Sequence, residues 1–196
     1  SWDSRRYTTK SDEGGKWIIE VQTPGASSVP QRLTFSDGEE LTLDNILIGE
    51  VWLCSGQSNM EMPLKGLFNG PVEGGNDAIA NAGQYPSIRV ATIRNTGSVV
   101  PQETVAGKWK ISNSENAGSF SAVAYFFAVY LNRVLNVPVG VIDCSWGGSH
   151  IEGWMPEELL SRYEDVDISN AGNPEVADWA QPMIMYNGML HPLHNY

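Results

Sequence analysis

Gly49-Glu50-Val51-Trp52-Leu53-Cys54-Ser55-Gly56-Gln57-Ser58-Asn59-Met60-Glu61-Met62 is the stretch around which the chain is organised. Together with Ile46, Leu47 and Ile48, its first residues form an apolar run with the length and composition of a buried strand. The run stops at Ser55-Gly56-Gln57-Ser58-Asn59, small and polar residues where the chain should turn. A serine just beyond the C-terminal end of a buried strand lies where open α/β sheets place their ligands. Gly56 permits a sharp turn and leaves room for a carbonyl beside the serine, and the backbone N–H groups that follow can stabilise an oxyanion. The same residues also suit an ordinary strand-to-helix turn with Ser58 or Asn59 as N-cap.

The chain has 196 residues, 41% of them hydrophobic and 18% charged, which allows one sizeable core with room for a small second module. A formal net charge of −11 with no basic cluster beyond Arg5-Arg6 argues against nucleic acid and anionic membrane surfaces as partners. Seven Trp and seven Tyr lean gently towards a carbohydrate ligand, since aromatic rings can wall a sugar site. Cys54 and Cys144 both end apolar runs and read as free, buried thiols, with a disulfide open only if the two strand ends are suitably placed neighbours. Neither they nor the three histidines show metal-ligand spacing.

Working outward, Lys16 to Val21, Arg32 to Phe35 and Glu40 to Leu43 read as short strands, separated by turns at Asp12–Gly15, Pro24-Gly25 and Ser36–Gly38. Beyond Ser58 the chain is loop-rich from Pro63 to Gly75, helical from Asn76 to Ala82, and a core strand from Ile88 to Ile93. Asn95 to Gly118 reads as a long irregular excursion of the kind that lines sites. Ser119 or Ser121 caps a helix over Ala122 to Leu135, apolar nearly all round and expected to be largely buried. Asn136 ends it, and Val139 to Cys144 is the next strand. This order predicts a parallel sheet with crossovers. Helices over Pro156 to Arg162 and Pro174 to Trp179 flank an acidic loop.

A second block, Ser145-Trp146-Gly147-Gly148-Ser149-His150-Ile151-Glu152-Gly153-Trp154, follows that last strand. Paired glycines there present bare N–H groups, fit for an oxyanion hole or for tight packing alone. Glu152 reads as a loop anchor. Near the C-terminus, Asn187 in Tyr186-Asn187-Gly188-Met189 is either a site-lining group or a turn residue.

Gly56-Gln57-Ser58-Asn59-Met60 resembles the nucleophile block of SGNH-type hydrolases, and the longer Gly49–Met62 stretch is similar to the branch containing sialate O-acetylesterases and related carbohydrate acetylesterases. Trp146-Gly147-Gly148 with Ile151-Glu152 and Trp154 resembles that branch's second block. The resemblance implies an α/β fold, a three-layer parallel-sheet (flavodoxin-like) hydrolase core over 45–196, preceded by the latter strands of a β-sandwich over 1–44. It implies Ser58 as nucleophile. It also implies that Gly147 or Gly148 joins the Ser58 N–H in holding the oxyanion, and that Gln57 and Asn59 position the turn or the substrate. No cofactor or metal is implied.

The family's third block and its Asp–His pair do not occur in these residues, and His150, His191 and His194 do not match the catalytic histidine. The expectation is therefore an incomplete esterase core. It would remove acetyl groups from an O-acetylated sugar or glycan through an acyl-serine, with a non-catalytic carbohydrate-binding remnant as the alternative. An open sheet edge further predicts association with a second chain or a homodimer. The family resemblance implies a periplasmic, secreted or lysosomal location.

Overall fold

The computed structural model describes residues 5–194; residues 1–4 and 195–196 of the expected 1–44 and 45–196 units lie outside the described residues. Strands β1 (Ser27–Ser36) and β2 (Glu40–Ile48) form an antiparallel hairpin closed by Asp37–Glu39, where Gly38 takes φ 125°. The strand expected over Lys16–Val21 is not formed. Its alternation has no partner strand to bury it: Ile18 is exposed, and Trp17 only leans on Phe35 at 5.8 Å. The Asp12 turn before it does form, with the Asp12 carboxylate accepting from the Gly14 and Lys16 N–H groups.

The apolar run from Ile46 to Leu53 is two strands rather than one. Ile46 and Ile48 pair with Gln31 and Ser27 in the hairpin, so β2 runs past the 44/45 boundary. The chain then enters a different sheet at β3 (Glu50–Gly56). Gly49 makes the crossing. A Cβ there would collide with the Pro138 carbonyl, which instead accepts the Glu50 N–H at 3.0 Å.

The second sheet has the order β3-β6-β4-β5, with β4 (Ile88–Thr92) and β6 (Val139–Ser145) parallel to each other and to β3. The fold is thus α/β with a parallel sheet. β5 (Trp109–Ile111) is antiparallel to β4, and with the short helix α3 (Ser114–Ala117) it orders part of an excursion that reads as irregular in sequence. The preceding helices are α1 (Ser58–Glu61) and α2 (Gly75–Asn81), followed downstream by α4 (Ala122–Leu135) and α5 (Glu157–Leu160). The helix expected over Pro174–Trp179 is only a single turn of 3-10 helix at Asp178–Ala180.

Central strand β6 is buried along its whole length, as a strand covered on both faces must be. One face packs with Leu64, Ala82, Phe120, Ala124, Tyr125 and Ala128. The other meets Ile184, Met185, Met189 and Leu193 from the C-terminal segment. Helix α4 approaches the sheet through Ala122, Ala124, Tyr125 and Ala128, small residues apart from the tyrosine. Ser121 caps it by accepting from the Ala124 N–H at 3.2 Å, and Asn136 ends it in the left-handed region at φ 53°. The Tyr125 hydroxyl is buried with a partner, Ser112 Oγ at 2.7 Å, which also donates to the Ala82 carbonyl.

Two expectations of burial fail at one flank. Strand β3 is the sheet edge, and Val51, Trp52 and Leu53 are 54%, 43% and 45% exposed. Helix α4 beside it leaves Val123, Phe126, Tyr130 and Val134 exposed, although Phe127 packs edge-on against Trp52 at 5.2 Å. Residue type predicted the strand and the helix, but only neighbours can supply burial. Cys54 and Cys144 lie on adjacent strands, one position out of register. They face opposite sides of the sheet, and both are free. Among the described residues, no helix is long and apolar enough to cross a membrane.

Gly49→Ala should therefore destabilise the protein by about 3 kcal/mol, the upper range for forcing atoms into a packed site. The shift is measurable as a lowered urea midpoint with unchanged slope. A midpoint equal to wild type would show that the crossing tolerates a side chain.

Candidate active site

Three chain turns meet at the C-terminal ends of β3, β4 and β6. The parallel register sets Gly56 opposite Ser145, so both strands end at one level. Gly56 turns the chain at φ 149°, where a side chain would be strained and would also press on Met60 at 3.3 Å. Helix α1 follows at once. Its N-cap position is Gln57, with no side-chain cap, so neither Ser58 nor Asn59 serves as N-cap.

Ser58 is exposed at the first position of this turn, its hydroxyl donating to Gln57 Oε1 at 2.8 Å. The first N–H of the turn with an acceptor is that of Met60, which reaches the Gln57 carbonyl. The amides of Ser58 and Asn59 have no acceptor among the described residues, as at any helix start. Asn59 is exposed, and its side chain has no hydrogen-bond partner among the described residues.

The loop after β6 lies against this turn. The Trp146 N–H donates to the Gly56 carbonyl at 3.0 Å. The Gly147 N–H donates to Glu61 Oε2 at 2.8 Å, while Glu61 Oε1 accepts from Asn95 Nδ2 at 3.1 Å. The Gly148 N–H has no acceptor among the described residues, and Gly148 takes φ 78°. The two glycines are therefore in different situations, one engaged and one free.

Beyond Gly148, a Cβ at that position would stand 3.8 Å from Trp179, whose ring meets His150 edge-on at 5.6 Å. A cavity of ≈ 170 Å³ adjoins them, lined by His150, Glu152, Asp165, Asp167 and Asn170 among others. No lysine or arginine lines it.

Beneath the turn lies Asp143, only 3% exposed, between Cys54 on β3 and Thr92 on β4. Burial raises its pKa above the ordinary carboxylate value, and the charge of Glu61 adds to the rise; hydrogen bonds from Ser145 and Thr92 oppose it. Ser145 Oγ donates to Asp143 Oδ1 at 2.6 Å. Burial, with the Asp143 charge adding, also pushes the Cys144 thiol up to about 12 and raises that of Cys54. Both are therefore thiols, not nucleophilic thiolates, at neutral pH.

None of the three histidines is hydrogen-bonded to Ser58. His191 Nδ1 pairs with the Gln102 carbonyl, His194 Nδ1 with the His191 carbonyl, and His150 rests on Trp179. Asn187 is buried, and its side chain donates to the Val99 carbonyl at 3.2 Å, tying the C-terminal segment to the excursion. Sequence reasoning missed Glu61, Asn95 and Asp143. Asp143 did carry a signal, a lone acid inside an apolar strand. Glu61 stood within the opening block but reads as an ordinary helix-turn carboxylate. Among the described residues, no group of three or more His, Cys, Asp or Glu is placed to hold a metal ion.

Comparison with known proteins bears on the same segment. The family described as carbohydrate esterase, sialic acid-specific acetylesterase, matches residues 48–190. The chain is 32% identical over 207 residues to a sialate O-acetylesterase of Pongo abelii and 31% identical over 207 to that of Homo sapiens. Each alignment covers 97% of this chain and 38% of the relative. A crystal structure of a carbohydrate acetylesterase from Xanthomonas citri superposes with a TM-score of 0.83 at 35% identity, covering 100% of this chain and 41% of that one. The chain thus spans about two fifths of the length of the relatives it matches.

The raised Asp143 carboxyl gives a prediction with a defined sign. Between its unfolded and native pKa values the native state binds more protons, so stability is fully present below that window and falls as pH rises through it. Asp143→Asn keeps an oxygen acceptor for Ser145 and removes the ionisation. The variant should gain on wild type as pH is raised from about 4 to about 8, read from urea midpoints at each pH. Parallel pH curves for the two proteins would count against a buried, proton-retaining Asp143.

Proposed function

The chain belongs to the carbohydrate esterase family of sialic acid-specific acetylesterases, and from that premise we propose that it carries the nucleophile half of a serine esterase acting on O-acetylated carbohydrate. The observation that supports this most is Ser58 itself. It is an exposed serine on a glycine-forced turn at the end of a parallel strand, beside a glycine loop with an uncommitted N–H.

In this reading the Ser58 oxygen attacks the acetyl carbonyl carbon as a base takes the hydroxyl proton. The resulting oxyanion is held by the N–H groups of Ser58 and Gly148. The Gly148 N–H is preferred to that of Gly147 because the latter already donates to Glu61. Collapse breaks the bond to the sugar oxygen, which leaves with the proton from the base. Water then adds to the acyl-serine, releasing acetate and restoring Ser58. Gln57 holds the resting hydroxyl. The exposed Trp179 and the carboxylate-rich cavity beside it suit a hydroxyl-bearing ring, which can stack and donate hydrogen bonds.

Ser58 has no histidine partner among the described residues, so we place the base outside residues 5–194. The same observation favours the second reading, a carbohydrate-binding chain without turnover.

Hydrolysis of p-nitrophenyl acetate by wild type, Ser58→Ala and a His150/His191/His194 triple alanine variant separates these readings. Ser58→Ala should lose roughly 10³-fold or more of any turnover, while the triple variant keeps its kcat within about threefold. A triple variant as inactive as Ser58→Ala would put the base among those three histidines. Wild-type turnover in Ser58→Ala would sink the serine mechanism. Sugar binding with no Ser58-dependent turnover would leave the binding reading standing.

A further inference from the structure

We propose that Glu61 is a positioning residue that clamps the Gly147–Gly148 loop onto the nucleophile turn, dedicating the Gly147 N–H to the scaffold and leaving the Gly148 N–H for substrate oxygen. Its catalytic consequence rests on the esterase reading above; the clamp itself does not.

The geometry begins with spacing. Glu61 is three residues after Ser58 on α1, one turn along the same side of the helix. Both of its oxygens are used, and each reaches a different chain segment. Oε2 takes the Gly147 N–H after β6, and Oε1 takes Asn95 Nδ2 after β4. One carboxylate thus joins the ends of three neighbouring strands, with β3 supplying the helix on which it rides. Hydrogen bonds to an ionised acceptor are roughly twice as strong as neutral ones.

Gly147 is matched to that carboxylate. A Cβ there would run into Glu61 Oε2, so a side chain at this position would push the carboxylate off its present place against the backbone. The next residue then turns with φ 78°, and its N–H has no acceptor among the described residues. The loop carries two adjacent glycine N–H groups. Here Glu61 makes them unequal. Because misplacement of catalytic groups by about 1 Å can cost on the order of 10²-fold in rate, releasing this clamp should register in kcat and leave KM largely alone.

Two substitutions separate positioning from mere loss of charge. Glu61→Ala removes both acceptors. Glu61→Gln retains an amide oxygen for the Gly147 N–H, and Asn95 can reverse its own amide to meet the new NH₂ group. Wild type and both variants are compared by p-nitrophenyl acetate kinetics and by amide ¹H–¹⁵N spectra with hydrogen-exchange rates at Gly147 and Gly148.

The expected result for Glu61→Ala is a kcat lowered about 10- to 100-fold with KM little changed, an upfield-shifted Gly147 amide, and faster exchange. Glu61→Gln should restore most of the kcat and the Gly147 shift. Wild-type kcat in Glu61→Ala, or a Gly147 amide unmoved by it, overturns the proposal. Failure of the esterase reading would look different, because Ser58→Ala would then match wild type in turnover. In that event the amide signals still decide: loosening in the alanine variant with rescue by glutamine upholds the clamp, and unchanged signals reject it.

Discussion

Everything at the site depends on the parallel pairing of β3 with β6. Seven residues of one strand run in register with seven of the other, from Glu50 opposite Val139 to Gly56 opposite Ser145. Two glycine-bearing turns distant in sequence therefore leave the sheet at the same level. The Trp146 N–H bonded to the Gly56 carbonyl extends this pairing one step beyond the strands. A register slip of a single residue would move each side chain to the other face. It would also separate Ser58 from the loop that can complement it. Gly49 protects the register from the other end, by letting the chain pass beneath Pro138 as it crosses between sheets.

Glu61 and the buried Asp143 both lie close behind an exposed serine, with Ser145 and Thr92 bonded to the inner acid. Burial raises the Asp143 pKa, and the nearby Glu61 adds to the rise. Asp143 is enclosed and favours the neutral form. The exposed Glu61 is engaged by two donors.

The open flank is the structural counterpart of this well-tied site. β6 is buried throughout because β3 and β4 flank it and both sheet faces are covered, whereas β3 has, among the described residues, a partner on one side only. Its Val51, Trp52 and Leu53 are exposed, as are Val123, Phe126, Tyr130 and Val134 of α4, and Trp52 meets Phe127 of that helix edge-on. Ser58 therefore stands just past the end of an edge strand and is exposed.

Much of this was legible in residue order. A serine cap at Ser119 or Ser121, the apolar run to Leu135 and the αL-tolerant Asn136 mark α4 through local chemistry, with the structure choosing Ser121, and β4 and β6 follow from β-branched runs bounded by turns. Gly56-Gln57-Ser58-Asn59 and Trp146-Gly147-Gly148 marked the two loops by residue type, and resemblance marked the family. Sequence patterns could not separate Ile46–Ile48 from Val51–Leu53, because an apolar run looks alike whichever sheet receives it. They could not assign burial to β3, because burial belongs to neighbours and not to the strand. Nor could they tell Gly147 from Gly148, which are the same residue twice. That difference arises only when Glu61, 86 residues earlier, is brought to one of them, and only tertiary packing sets the distance between a carboxylate and an amide so far apart along the chain.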